Sequence, residues 1–134
     1  MPLKLEIVTP ERAYTTLQVE SVTAPGSLGE FCVLSGHRPM LAGLDPGEVL
    51  AIDSDGQKHL FAVGGGFAEV GLDRALLMVD SCLAPGEINV ARAEAARKKA
   101  DGTMAGRSTT DPEYLDARSA ARRAEVRIKV ARSA

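Results

Sequence analysis

The sequence predicts an α+β chain, with a strand-rich front closed as an antiparallel β sandwich or flattened barrel and an antiparallel two-helix hairpin behind it. Three observations carry this expectation. Up to residue 86 the apolar residues come in short or alternating runs, separated by Gly, Pro and Asp breakers. From Glu87 onward alanine and arginine dominate, and the apolar residues recur at helical spacing. The charge changes sign at the same place: residues 1–86 carry a net −6, residues 87–134 a net +4 and the whole chain −2. The expected units are therefore residues 1–86 and 87–134, with different electrostatic tasks.

Taken in order, Leu3, Leu5 and Ile7 alternate with Lys4 and Glu6, the period of a half-buried strand. Thr9-Pro10-Glu11 breaks it, and Tyr14 to Ala24 reads as one long or bent strand. The stretch Pro25–Gly47 holds five of the thirteen glycines and three of the seven prolines. Its two apolar runs, starting at Phe31 and Met40, are expected to be strands changing direction at an end of the sandwich. Glu48–Ile52 and Lys58–Val63 flank Asp55-Gly56, a hairpin signal. Gly64-Gly65-Gly66 is followed by neither a Lys-Ser/Thr pair nor a helical pattern, so it predicts a bulge or a close backbone crossing, not a phosphate loop. Gly71-Leu72-Asp73 turns the chain into a buried strand over 74–80.

Past Pro85-Gly86, Asn89 is placed to cap a helix that ends near Asp101-Gly102. Asp111-Pro112-Glu113 supplies a cap, a first-turn proline and a first-turn acid for a second helix running to about Arg132. Stripes at Ile88, Ala91, Ala95 and Ala96 on the first helix, and at Ala117, Ala120, Ala121, Ala124, Ile128 and Ala131 on the second, predict the seam between them. Alanine buries little area, so this hairpin is expected to be marginal by itself.

Composition narrows the function classes. No run approaches the roughly 18 apolar residues of a membrane span, and Met1–Glu6 does not have the form of a secretory leader. Cys32 and Cys82 match no metal or redox spacing and are expected to be buried and reduced; with two histidines far apart, no metal site is expected. An enzyme reading would make His37 a base beside Glu30 or Asp45, without a recognisable nucleophile or cofactor motif. A nucleic-acid-binding reading would use the basic hairpin, which carries a single aromatic residue and no base-reading motif.

Pro25-Gly26-x-x-Gly29-Glu30-Phe31-x-Val33-Leu34-x-Gly36-His37-x-Pro39-Met40-Leu41, then Gly65-Gly66-Phe67-x-Glu69-Val70, then the alanine-rich hairpin, resemble the ε subunit family of the bacterial rotary ATP synthase along essentially the whole chain. Cys32 stands where glycine is common in that family, and Ser35 where proline is. The resemblance implies a ten-stranded sandwich plus a two-helix hairpin. It also implies a non-catalytic rotor subunit of the proton-translocating complex, peripheral on the cytoplasmic face of the bacterial inner membrane and touching the membrane only through the c-ring. Implied partners are the γ subunit and the c-ring, docked through the 1–86 unit with Glu30, His37 and Arg38 on that surface. No nucleic acid is among them. The hairpin is implied to regulate ATP hydrolysis by extending into the catalytic α and β subunits, with Arg118, Arg122, Arg123 and Arg127 (and beyond them Lys129 and Arg132) meeting an acidic β-subunit loop.

The resemblance further implies no required cofactor, with ATP as a regulatory ligand of the hairpin. Ile88-Asn89-x-x-Arg92-Ala93 matches the family's nucleotide motif except that Asn89 replaces an acid, and Lys99, Arg123 and Arg127 would add positive charge. Asn89 as a simple cap and Arg92 as a solvated charge is the competing structural reading.

Overall fold

The structure is a computed structural model that describes residues 2–133. Ten strands precede two helices: β1 Leu3–Val8, β2 Ala13–Val19, β3 Ser21–Ala24, β4 Phe31–Leu34, β5 Met40–Leu44, β6 Gly47–Ile52, β7 Lys58–Val63, β8 Gly66–Val70, β9 Arg74–Val79 and β10 Cys82–Leu83. A 3₁₀ turn, Pro85–Glu87, leads to α1 Val90–Met104 and α2 Pro112–Ser133. The strands form two five-stranded sheets, in the orders β2-β1-β9-β8-β5 and β10-β7-β6-β3-β4. The expected sandwich and hairpin are both present, and the pairings are antiparallel apart from β1 with β9, which run parallel.

The alternating patterns place the core. Leu3, Leu5 and Ile7 of β1 are fully buried, and they meet Val22, Val33, Val49 and Phe61 from the opposing sheet. Tyr14 to Ala24 proves to be two strands in different sheets. β2 pairs with β1 in the first sheet, and after Glu20 the chain crosses so that β3 pairs with β6 in the second. Both sheets bury their inward residues there, so the run looks continuous in sequence.

The glycine triplet is a close backbone approach. Gly65 and Gly66 have φ of 107° and 152°. A Cβ on Gly66 would lie 2.0 Å from the Met78 carbonyl oxygen, where only hydrogen fits. At the β6–β7 turn, Gly56 takes φ of 80°, and the Asp53 carboxylate accepts the Asp55 and Gln57 amides at 2.9 and 3.0 Å.

The helices stack as two further layers. α2 lies across β6 and β7, and α1 packs on α2. Ala117, Ala121, Ala124 and Ile128 are buried on one side of α2, and Ala117 and Ala121 cluster with Ala100 and the half-buried Met104 of α1. Val130 is fully buried although, at about 100° per residue, it points the other way, toward the sheet. α2 therefore has two apolar faces. The expected stripe on α1 is corrected: Ala91, Ala95 and Ala96 are exposed, and Ala93 and Ala100 are buried instead. Alanine on every side of a helix leaves no periodicity from which to choose a face. α1 also runs past Gly102 to Met104, because Ala100 and Met104 still have α2 to pack against; Gly106, at φ of 75°, follows its end.

Cys82 is buried, as expected, but Cys32 is exposed. On β4 its neighbour Val33 faces the core, so strand alternation turns the thiol outward.

Candidate functional site

The outer faces of the two sheets differ. On the second sheet, Leu50 and Leu60 pair on the outside, next to Glu48 and Ala62, and α2 covers this region, leaving Ala62 only 3% exposed. The outer face of the first sheet has no helix over it. There the register aligns Val8, Met78 and Phe67 in one row across β1, β9 and β8. The neighbouring row sets Leu76 beside Glu69 and Leu41. Phe67 is 58% exposed and Leu41 71%. Glu6 is held by Arg74 at 3.1 Å and Lys4 at 3.5 Å, which leaves a charged border beside an apolar centre. Exposed hydrophobics gathered on one face mark an interaction surface. The alternation of β8 and β9 carried this signal in the sequence, but which face lay open depended on where the hairpin went.

The stretch from Pro25 to Gly47 forms a lateral edge of the sandwich, not an end. β4 and β5 are the outermost strands of their respective sheets, and they lie side by side. The Pro25–Ser27 backbone ties them together through Ser27 N–H to the Gly43 carbonyl at 2.9 Å and Asp45 N–H to the Pro25 carbonyl at 2.9 Å. Glu30 and His37 flank opposite ends of β4, roughly 13 Å of strand apart at ~3.3 Å per residue. Glu30 and Arg38 are exposed, and His37 is half-buried with Nδ1 donating to the Arg38 carbonyl at 2.7 Å. Asp45 sits at the Glu30 end, accepting from Ser27 Oγ at 3.2 Å. His37 therefore faces neither carboxylate, and the acid–base arrangement of the enzyme reading is not formed. Leu28, fully exposed on the Pro25–Glu30 loop, was missed by sequence reasoning, since a lone apolar residue in a glycine-rich loop carries no pattern.

A second site lies between the helices and the linker. A cleft of about 460 Å³ is lined by the Ile88-Asn89 linker, Arg92 and Ala93 of α1, and Arg123 and Arg127 of α2. Six of the seven residues expected to hold a nucleotide thus meet in one cavity. Lys99 does not reach it; it is exposed further along α1. Asn89 caps α1, its Oδ1 accepting the Arg92 amide at 3.0 Å. Burial, with the Arg123 charge beside it, pulls the Arg127 pKa below its usual value. Arg127 donates to Ser81 Oγ at 3.3 Å. Three guanidiniums facing one cavity favour an anion there.

The expected basic set on α2 is split by the helix. Arg122 and Lys129 lie on one flank, 3.8 Å from Asp45 and 3.9 Å from Glu48, while Arg123 and Arg127 occupy the cleft on the other. Arg118 is exposed, and Arg132 reaches Glu94 of α1 at 2.8 Å. With the hairpin folded, these cations do not form one outward patch. Among the described residues, no cluster of His, Cys, Asp and Glu could hold a metal ion.

Two family models cover the chain: residues 2–97 match the ATP synthase Delta/Epsilon chain beta-sandwich domain, and residues 87–132 its long alpha-helix domain. The ATP synthase epsilon chain of Anaeromyxobacter sp. (strain Fw109-5) is 39% identical over 132 residues, 98% of either chain. The ATP synthase epsilon chain 2 of Syntrophotalea carbinolica is 40% identical over 129 residues, 96% of this chain and 93% of that one. Among solved structures, a chain of the Euglena gracilis mitochondrial ATP synthase superposes with a TM-score of 0.81 at 20% identity, covering 97% of this chain and 81% of that one.

Proposed function

This chain belongs to the ATP synthase Delta/Epsilon chain family, and we propose on that premise that it docks on the rotor through the open face of its first sheet and regulates the complex through its hairpin. Its role is that of a non-catalytic central-stalk subunit, and nothing favours the nucleic-acid reading.

One observation carries the docking assignment: the row of Val8, Met78 and Phe67, with Leu41 beside it, left uncovered while the equivalent face of the other sheet is covered. Burying such a row against the γ subunit gains roughly 25 cal/mol per Å² removed from water. The β4–β5 edge, with Leu28, Glu30, His37 and Arg38, is the surface we assign to the c-ring, and a peripheral position at the cytoplasmic side of the membrane is part of this proposal. No helix among the described residues is long and apolar enough to cross a membrane, which is consistent with a peripheral place. Co-purification with γ tests the docking face. Phe67→Asp should abolish it while leaving the melting temperature unchanged, because Phe67 is exposed; retention of γ by this variant would refute the assignment.

The hairpin is the regulatory element. In the folded state α2 rests on the sandwich through the buried Val130, one hydrogen bond from Arg127 to Ser81, and long, partly exposed ion pairs of Arg122 and Lys129. Such pairs contribute about 0–1 kcal/mol each, so the polar contacts resist release and extension toward the α and β subunits only weakly, and the apolar contact of α2 with β6 and β7 is the main one to break. Released, Arg122, Arg123 and Arg127 become free for an acidic partner.

A second reading is supported by the convergence of Ile88, Asn89, Arg92, Ala93, Arg123 and Arg127 on one cleft. ATP bound there would join α1 to α2 and hold the hairpin folded. Calorimetric titration of the full chain with ATP tests this. Heat that disappears in Arg127→Ala supports it, and no heat at millimolar nucleotide refutes it.

A further inference from the structure

The linker between sandwich and hairpin is tied to the sandwich by its own group of side-chain bonds. A register shift after Ile7 pairs Val8 with Ala13, and Tyr14 sits at that bulge, its ring edge-on to Phe61 with centroids 6.1 Å apart. From there the Tyr14 hydroxyl donates to Glu87 Oε1. The Ala84 amide donates to both, at 3.1 Å to Tyr14 Oη and 3.0 Å to Glu87 Oε1. Arg12 completes the group, its guanidinium 5.2 Å above the Tyr14 ring and 4.0 Å from Glu87 Oε2. The 3₁₀ turn closes on itself, with Glu87 N–H to the Ala84 carbonyl at 3.0 Å and Ile88 N–H to the Pro85 carbonyl at 3.2 Å. Immediately beyond it, Ile88 and Asn89 are extended, with φ/ψ of −88°/124° and −90°/103°.

We infer that Arg12, Tyr14 and Glu87 form a clasp that sets the pivot of the hairpin at Ile88–Asn89, so that Pro85–Glu87 stays with the sandwich when the helices leave it. This inference rests on the reading that the hairpin leaves at all. The turn is held at Glu87 Oε1 by two hydrogen bonds to a carboxylate, from the Tyr14 hydroxyl and from the Ala84 amide at 3.0 Å, with the Arg12 guanidinium 4.0 Å from the other carboxylate oxygen. The polar bonds that hold α2 on the sandwich are ion pairs at 3.8 and 3.9 Å and one hydrogen bond at 3.3 Å, beside the apolar contact of the buried Val130. Charge-assisted bonds of good geometry outlast such surface pairs. Glu87 also lines the arginine cleft, so the clasp fixes one wall of that cavity while α1 and α2 form the others. The functional consequence is reach. A clasped turn keeps three residues out of the tether, which an open one would lengthen by up to about 10 Å. The depth to which the helices penetrate the catalytic head is then set by sandwich residues far from the helices in sequence.

Spin-label distances in the assembled ATP synthase complex test this. Cys32→Ser removes the exposed thiol, while Cys82 is buried and its thiol is pushed up to about 12 by that burial, so it stays unlabelled. Labels go on Ser54→Cys, in the exposed β6–β7 turn, paired with either Ser119→Cys on the exposed side of α2 or Gly86→Cys, where a Cβ meets nothing within 4 Å. The expected result is two distance populations for 54–119 and a single one for 54–86. Adding Tyr14→Phe, or Arg12→Ala as a second variant should the first misfold, should broaden 54–86 and lengthen the longer 54–119 population by up to about 10 Å. If 54–86 already splits along with 54–119 in the parent with its clasp intact, or if neither variant changes it, the pivot lies elsewhere and the clasp is refuted while hairpin release stands. A single 54–119 distance under all conditions would overturn both.

Discussion

Gly66 has little freedom to be another residue. Its φ of 152° and the 2.0 Å that would separate a Cβ from the Met78 carbonyl oxygen leave no room for a side chain between β8 and β9. Gly66→Ala should cost about 1–3 kcal/mol, measured as a drop in urea midpoint; an unchanged midpoint would mean the two backbones separate without strain. Glu87 and Tyr14 make stability depend on pH from both ends. The Tyr14 hydroxyl, followed by the Ala84 amide, holds the Glu87 carboxyl below its ordinary 4.5 against a partial burial penalty. A depressed carboxyl contributes stability that is present above about 4.5 and lost as pH falls through the folded value. Burial, then the bond to Glu87, pushes Tyr14 up to about 12, so its contribution is present below 10 and lost as pH rises through about 12. The melting temperature of Glu87→Gln should therefore fall less than that of the parent between pH 6 and pH 3. Equal falls would show that Glu87 is not linked to folding.

At the level of the element, the first turn of α1 is where structure and chemistry meet. Asn89 caps it through Arg92 N–H at 3.0 Å, so Asn89→Ala should cost about 1 kcal/mol. Asn89→Asp keeps the acceptor and adds a negative charge at a helix N-terminus, which favours it by about 0.3–1 kcal/mol at neutral pH. Thermal melts of the three chains separate capping from charge: the order Asp ≥ Asn > Ala is expected, and Ala equal to Asn would show that the cap is idle. The cap was legible in sequence because it is local, as was the Asp111 start of α2, where Oδ1 accepts the Glu113 amide at 2.9 Å. The buried face of α1 was not legible, because its alanines surround the helix and only α2 decides which are covered. The second apolar face of α2 was missed for a related reason: Val130 lies outside the alanine stripe, and only the sheet beneath α2 shows that it is buried.

For the whole molecule, the four layers run from the open sheet through the covered sheet and α2 to α1, and the docking face and the regulatory hairpin lie on opposite sides. Truncation after Glu87 keeps the clasp, so the sandwich should stay folded and bind γ, and ATPase activity of the assembled complex should rise. Unchanged activity would count against inhibition by the hairpin. The sequence by itself determined the strand-rich front, the helical hairpin behind it, the caps and the close backbone crossing at the glycines. Each of these rests on short-range stereochemistry or on a local motif. Tertiary structure alone decided that Tyr14–Ala24 changes sheets, that Pro25–Gly47 is an edge with Glu30 and His37 at separate corners, and that the Phe67 face is the open one. Those outcomes depend on which surfaces far apart in the chain remove one another from water, and burial is set by the partner surface rather than by the strand that carries the side chain.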